Sequence, residues 1–308
     1  MSKRRTGPSW AEQIGDKKWA DFFYLGLSVH QLLDRLHALS FTPVAGGRDL
    51  PFNAEVRGYS GARDSEGALW ITKPVEPAEA FSYRLGELVY CLDFQLRTLS
   101  APTLLIGEEG AWCRATKGIT PAMQISSYDY LQEPFRRVLA NDLINRWWTC
   151  DEDRNPNNYM VIHTAGDLPL VVAIDFNHAD LESEGLKITG NQTEFGWHRL
   201  EKTRFLTLLK PSNFEVYCIE DFQERLELMM DISESRLKEL CRRLFEGVVK
   251  DPARRAQRVS GTLVQRRAYI DKYFRRWFGS RAKLAGKTEG AEYEGLGRAF
   301  VEQYKKKI

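Results

Sequence analysis

The chain has 308 residues, 43% hydrophobic and 28% charged, with a formal net charge of +2. That length suffices for two lobes with a sizeable core, and the composition is that of an ordinary soluble globular protein. A net charge so near zero, with no base-reading motif in the chain, excludes a protein that recognises nucleic acid through overall basicity.

Residues 1–50 read as a lead-in. Trp19, Phe22, Phe23, Leu25, Leu27, Leu32, Leu33, Leu36 and Leu39 predict one or two short helices docked by their apolar faces. From Phe52 the texture turns to β. Residues 53–57 and 68–73 read as strands of a hairpin whose turn holds Gly58, Gly61 and Gly67. A glycine-bearing turn can bring backbone N–H groups close to phosphates. Lys73 stands at the end of the second strand, just before Pro74, where a lysine can pair with nucleotide phosphates. Residues 81–99 predict a helix with Leu85, Leu88, Val89, Leu92 and Leu96 on its apolar face and Glu87 within it. Residues 103–106 and 111–115 flank a glycine-containing turn as a second hairpin, and residues 117–121 read as a connection between lobes. Apolar residues at three- and four-residue steps from Leu131 to Trp148 predict an amphipathic helix that holds the next loop rigid.

That loop carries the chemistry. Residues 153–158, Asp-Arg-Asn-Pro-Asn-Asn, are too rich in turn formers for a helix or strand interior. Two short apolar runs follow, residues 159–162 and 170–174, separated by Thr-Ala-Gly-Asp, and read as a buried hairpin. Its ends would bring Asp153 and Asn158 close to Asp175. Asn158 and Asp175 offer hard oxygen ligands suited to Mg²⁺, while Asp153 can orient or deprotonate a hydroxyl. Phosphoryl transfer needs such a set, because its catalysis is mostly positioning and charge neutralisation.

This stretch resembles the catalytic and metal-binding segments of HipA-like kinases, and in motif those of phosphoinositide kinases. An Asp-Arg pair, Asp153-Arg154, is followed by Asn158 five residues after the Asp, and a strand ends in Ile174-Asp175-Phe176, with His178 two residues on. Asn177 departs from the usual glycine of that motif. The resemblance implies an α+β, two-lobed, protein-kinase-like fold, with a small β-rich N-lobe (51–116) and a mostly helical C-lobe (117–285), followed by a tail (286–308). It implies an ATP-dependent kinase that passes the γ-phosphate to a hydroxyl, foremost Ser or Thr of a protein substrate, with Mg²⁺. Asp153 is then the catalytic Asp and Arg154 neutralises phosphate charge or pairs with an acid, while Asn158 and Asp175 hold the metal. Lys73 contacts the ATP phosphates with Glu87 as its partner, Gly58 and Gly61 lie near the phosphates, and the backbone from Ala115 to Lys117 meets the base. The alternatives are a lipid kinase and a nucleotide-binding pseudokinase that serves as an interaction module.

Residues 219–249 are dominated by helix, with a start at Ser233. Basic and aromatic residues alternate between 254 and 283, a pattern that can meet an acidic partner or an anionic membrane surface. Cys91, Cys113, Cys150, Cys218 and Cys241 lack metal-ligand spacing and point to a reducing compartment. With no signal-peptide core and no bilayer-spanning run, a cytoplasmic protein is expected.

Overall fold

A computed structural model of the chain describes residues 13–44, 58–108, 111–151, 156–176, 178–182 and 218–285. Its first helices are α1, Lys17–Phe22, and α2, Val29–His37. Each starts at a residue able to cap it. The Asp16 carboxylate accepts the Trp19 amide, and Ser28 with Gln31 forms a reciprocal capping box. Leu32, Leu33 and Leu36 lie on one side of α2 and are buried together with Trp19 and Phe23. The lead-in therefore docks by its apolar face, as the periodicity predicts.

Five strands follow: β1, Phe41–Pro43; β2, Ser60–Asp64; β3, Leu69–Pro74; β4, Thr103–Ile106; and β5, Cys113–Lys117. They form one antiparallel sheet in the order β1-β2-β3-β5-β4. The first hairpin differs from expectation. Residues 53–57 lie outside the described residues, and the strand paired with β3 is Ser60–Asp64, so Gly61 sits inside it rather than in a turn. The turn comes later, where Asp64 Oδ1 accepts the amides of Glu66 and Ala68 and Gly67 takes a φ of 86°. A short strand of Ser, Gly, Ala, Arg and Asp has the composition of a loop. Pairing with β1 on one side and β3 on the other overrides it.

Between β3 and β4 runs α3, Ala80–Gln95, buried on nearly every side and packed on β4, α2 and the later α6. It ends four residues short of the predicted 99, where Arg97 adopts a φ of 55°.

The second part of the chain comprises β6, Met123–Gln124; α4, Phe135–Thr149; β7, Tyr159–His163; β8, Pro169–Ala173; α5, Glu220–Asp231; α6, Glu234–Phe245; and α7, Pro252–Ala285. β6, β7 and β8 form a small antiparallel sheet, and α7 packs on α4, α5 and α6. Ser233 caps α6 as expected, accepting the Arg236 amide. The architecture is α+β, β-rich in its first part and mostly helical in its second. The five cysteines are free thiols. Among the described residues no helix is long and apolar enough to cross a membrane.

Much of the basic character of α7 is structural. Arg266 is buried and donates to the Trp148 and Asp180 carbonyls, and Arg267 donates to those of Met229 and Ile232. Arg255 forms a two-pronged pair with Glu182.

Candidate active site

The two apolar runs at 159–162 and 170–174 pair as antiparallel strands, with Tyr159 opposite Ala173 and Ile162 opposite Leu170. In that register Asn158 and Ile174 meet at the open end of the hairpin, where the Ile174 amide donates to the Asn158 carbonyl at 3.0 Å. Asp175 is the next residue, so the two expected oxygen ligands stand at the same end. Asn158 is buried, and the Asp175 side chain is 34% exposed. Asp175 takes a φ of 61°, a left-handed conformation that Asp tolerates better than most residues and that turns the chain out of the strand. Asp153 and Arg154, expected to act as catalytic residues, lie outside the described residues, as does Asn177.

The sheet wall of the site follows from the strand register. Lys73 is directly opposite Arg114, which is opposite Leu105; Gly61 is opposite Ile71, which is opposite Thr116. Residues directly opposed on antiparallel strands project to one face, and so do residues two apart along a strand. Gly61, Ile71, Lys73, Arg114 and Thr116 therefore share a face on which all but Gly61 are only half-buried. Arg114 reaches from it to Asp175, Nη1 to Oδ1 at 2.9 Å, which identifies this face as the one turned toward the hairpin end. The Lys73 ammonium lies 5.8 Å from the centre of the Tyr59 ring. Gly58, just before β2, has a φ of 73°, a conformation suited to glycine.

Ala115 and Lys117 occupy the opposite face, with Trp70. Both were expected at a base-binding edge, but β5 is an inner strand and its pairing continues past its end. The Lys117 amide donates to the Pro102 carbonyl and the Gly118 amide to that of Leu69, each at 2.8 Å. The Lys117 side chain is clamped by the lead-in, donating to the Phe22 carbonyl at 3.1 Å and to the Tyr24 hydroxyl at 2.9 Å. Burial pushes this ammonium down to about 8.

Glu87 does not pair with Lys73. Its carboxylate is fully buried and is bonded by Arg84, by His37 Nε2 at 2.7 Å and by the Leu105 amide at 3.1 Å. The cause is the placement of α3. The helix lies over β4, the edge strand, and Glu87 satisfies an outward amide of that edge, two strands away from β3. Burial alone would raise the Glu87 carboxyl; Arg84, His37 and the Leu105 amide outweigh it and hold the carboxyl below its ordinary value.

Behind the hairpin end lies a buried charged network centred on Arg146 of α4. Its guanidinium pairs with Asp93 of α3, with Asp142 at 3.0 Å and with Asp151 at 3.6 Å, and it covers the Phe176 ring at 5.2 Å. Tyr159 donates to Asp142, and Asn145 bridges Asp93 and Thr98. One side chain thus fixes the residue that leads out of α4 and the residue that follows Asp175. Two further ties join the β4 side of the sheet to β8: the Ala101 amide donates to the Ala173 carbonyl and the Ala173 amide to that of Leu99, each at 2.9 Å.

A carboxylate and a carboxamide at one hairpin end suit Mg²⁺, which favours oxygen donors and takes few from the protein. Among the described residues no group of three or more His, Cys, Asp or Glu side chains is arranged to hold a metal ion. Arg114 was missed from the sequence. The available signal was a charged residue standing between Cys113 and Ala115 in the otherwise apolar run 111–115.

No family model matches the chain, and no curated protein matches it. Among solved structures the fold is similar to that of a Helicobacter pylori proinflammatory kinase, CtkA, at 9% identity and a TM-score of 0.44, over 73% of this chain and 96% of that one.

Proposed function

We propose that the chain is an ATP-dependent phosphotransferase that passes the γ-phosphate to a hydroxyl, foremost Ser or Thr of a protein. The observation that carries this reading is the pairing of Arg114, which stands directly opposite Lys73 on the sheet face, with Asp175 at the hairpin end that also bears Asn158. Lys73 on the third strand offsets phosphate charge, as lysine does at that place in protein kinases. Asn158 and Asp175 would hold Mg²⁺, which when bound supplies charge neutralisation to the phosphates. Asp153 orients the acceptor hydroxyl and takes its proton, and Arg154 offsets phosphate charge beside it. The half-buried face formed by Ile71 and Thr116 offers a wall for the base.

Incubation with γ-³²P-ATP and Mg²⁺, beside Asp153→Asn and Asp175→Asn, tests the reading. Label on the wild type that each variant lowers about a hundredfold or more is expected, the scale on which loss of a group that stabilises transition-state charge reduces turnover. No label together with no ATP-induced rise in Tm overturns it. A rise in Tm without label leaves a kinase lacking its acceptor or a nucleotide-binding pseudokinase; the Arg114–Asp175 ion pair is the observation that favours the second. A lipid acceptor is less well supported, since Arg266 and Arg267 are buried within the basic segment that would meet a membrane.

A further inference from the structure

Arg114 is bonded to a candidate metal ligand, yet neither holding a metal nor receiving a proton gives a guanidinium anything to do. It has two available roles: a tie between the sheet and the hairpin, or a ligand-binding cation that rests on a carboxylate while its ligand is away. Three observations favour the second. The join between β8 and the sheet is already made by backbone bonds on either side of Ala173, so the ion pair is not needed to hold it. The pair stands at the edge of open space, with Arg114 12% and Asp175 34% exposed, and not within the core as the Arg146 network does. Finally, Lys73 is directly opposite Arg114 on the neighbouring strand, and Glu87 is bonded elsewhere. Among the described residues, Lys73 and Arg114 are two cations side by side on one half-buried face, and Asp175 is the carboxylate that Arg114 meets there, a setting suited to an anion.

We propose that Arg114 is a phosphate-binding residue of the nucleotide site, parked on Asp175 when no nucleotide is bound. This rests on the phosphotransferase reading. Arginine presents a planar fork of donors that matches two oxygens of one phosphate, whereas lysine acts as a point charge. With Asp175 engaged by a divalent cation, the Arg114 guanidinium loses its carboxylate and turns its fork to the phosphate that accompanies the cation. Nucleotide and cation therefore bind cooperatively, each releasing the partner of the other.

Calorimetric titration of the full chain with Mg²⁺ and ATP, ADP or adenosine, for the wild type, Arg114→Met and Arg114→Lys, decides the matter; adenosine is followed by its displacement of a fluorescent ATP analogue. Arg114→Met is expected to weaken ATP and ADP about tenfold or more, the scale of a charge-assisted hydrogen bond, with adenosine changed less than about twofold. Arg114→Lys keeps the charge beside Asp175, so it preserves the fold if the methionine variant does not, and is expected to lose part of the phosphate affinity. Unchanged ATP affinity in either folded variant, or an equal loss for adenosine, overturns the proposal and leaves Arg114 a structural tie. A wild type that binds none of the three overturns the phosphotransferase reading and this proposal with it.

Discussion

Lys117 shows how one side chain can be read in two ways. In sequence it opens the expected connection between lobes; in the structure it ends β5 and its ammonium is buried between Phe22 and Tyr24, 4.6 and 4.2 Å from their ring centres. Burial lowers its pKa from 10.5 to about 8. Between those values the unfolded chain binds the proton and the folded chain does not, so stability rises with pH across that window. Below about 8 both states are charged, and the cost of the buried ammonium is present in full. The urea midpoint of the wild type, measured relative to Lys117→Met, should therefore climb between pH 7.5 and 9.5; a flat difference would mean an ordinary lysine. The window stops short of Tyr24, which burial raises far above the usual tyrosine range.

At the scale of elements, α4 carries the network that backs the hairpin. Arg146 ties α3, α4 and the start of the following loop through three carboxylates, all in the dry interior. Burial disfavours its charge, but Asp142, Asp93, Tyr159 and Asp151 outweigh that and raise its pKa further above the ordinary value. Arg146→Met keeps the stem and strands those carboxylates. It should cost about 3–5 kcal/mol, the scale for breaking a buried pair by removing one partner, as measured by equilibrium urea unfolding. A loss below ~1 kcal/mol would mean that water or another donor already serves the carboxylates. The hairpin that the network supports was legible in sequence, because two short apolar runs of similar length flank a Thr-Ala-Gly-Asp turn. Strand β2 was not legible, since its five residues have the polarity of a loop and only their neighbours make them a strand.

In the whole molecule the lead-in bridges both parts of the chain. Its Trp19 indole donates to the His163 carbonyl beside the β7–β8 turn at 2.8 Å, and Asp16 accepts the Ala165 amide at 2.8 Å. Lys117 and Glu87 of the small lobe bond to Tyr24 and His37, and Arg243 of α6 pairs with Asp34 at 2.6 Å. The lead-in helices thus belong to the same core as both parts of the chain. Trp19→Ala should cost about 3–5 kcal/mol, as large-to-small changes at buried aromatic sites do, and lower the Tm accordingly. A loss under about 1 kcal/mol, the scale of a surface substitution, would show that the lead-in docks only loosely.

The sequence by itself determined the helical lead-in and the meeting of Asn158 and Asp175 at one hairpin end, because each follows from local periodicity and turn chemistry. It also singled out Lys73 at a strand end, which needs only the apolar run before it and Pro74 after it. Only the tertiary structure decided that Glu87 serves the edge of β4, that Lys117 turns away toward the lead-in, and that Arg114 joins the site. Those three outcomes depend on which strand neighbours which and on which edge a helix covers. Cross-strand register and helix placement are set by contacts between residues far apart in the chain, and no local pattern encodes them.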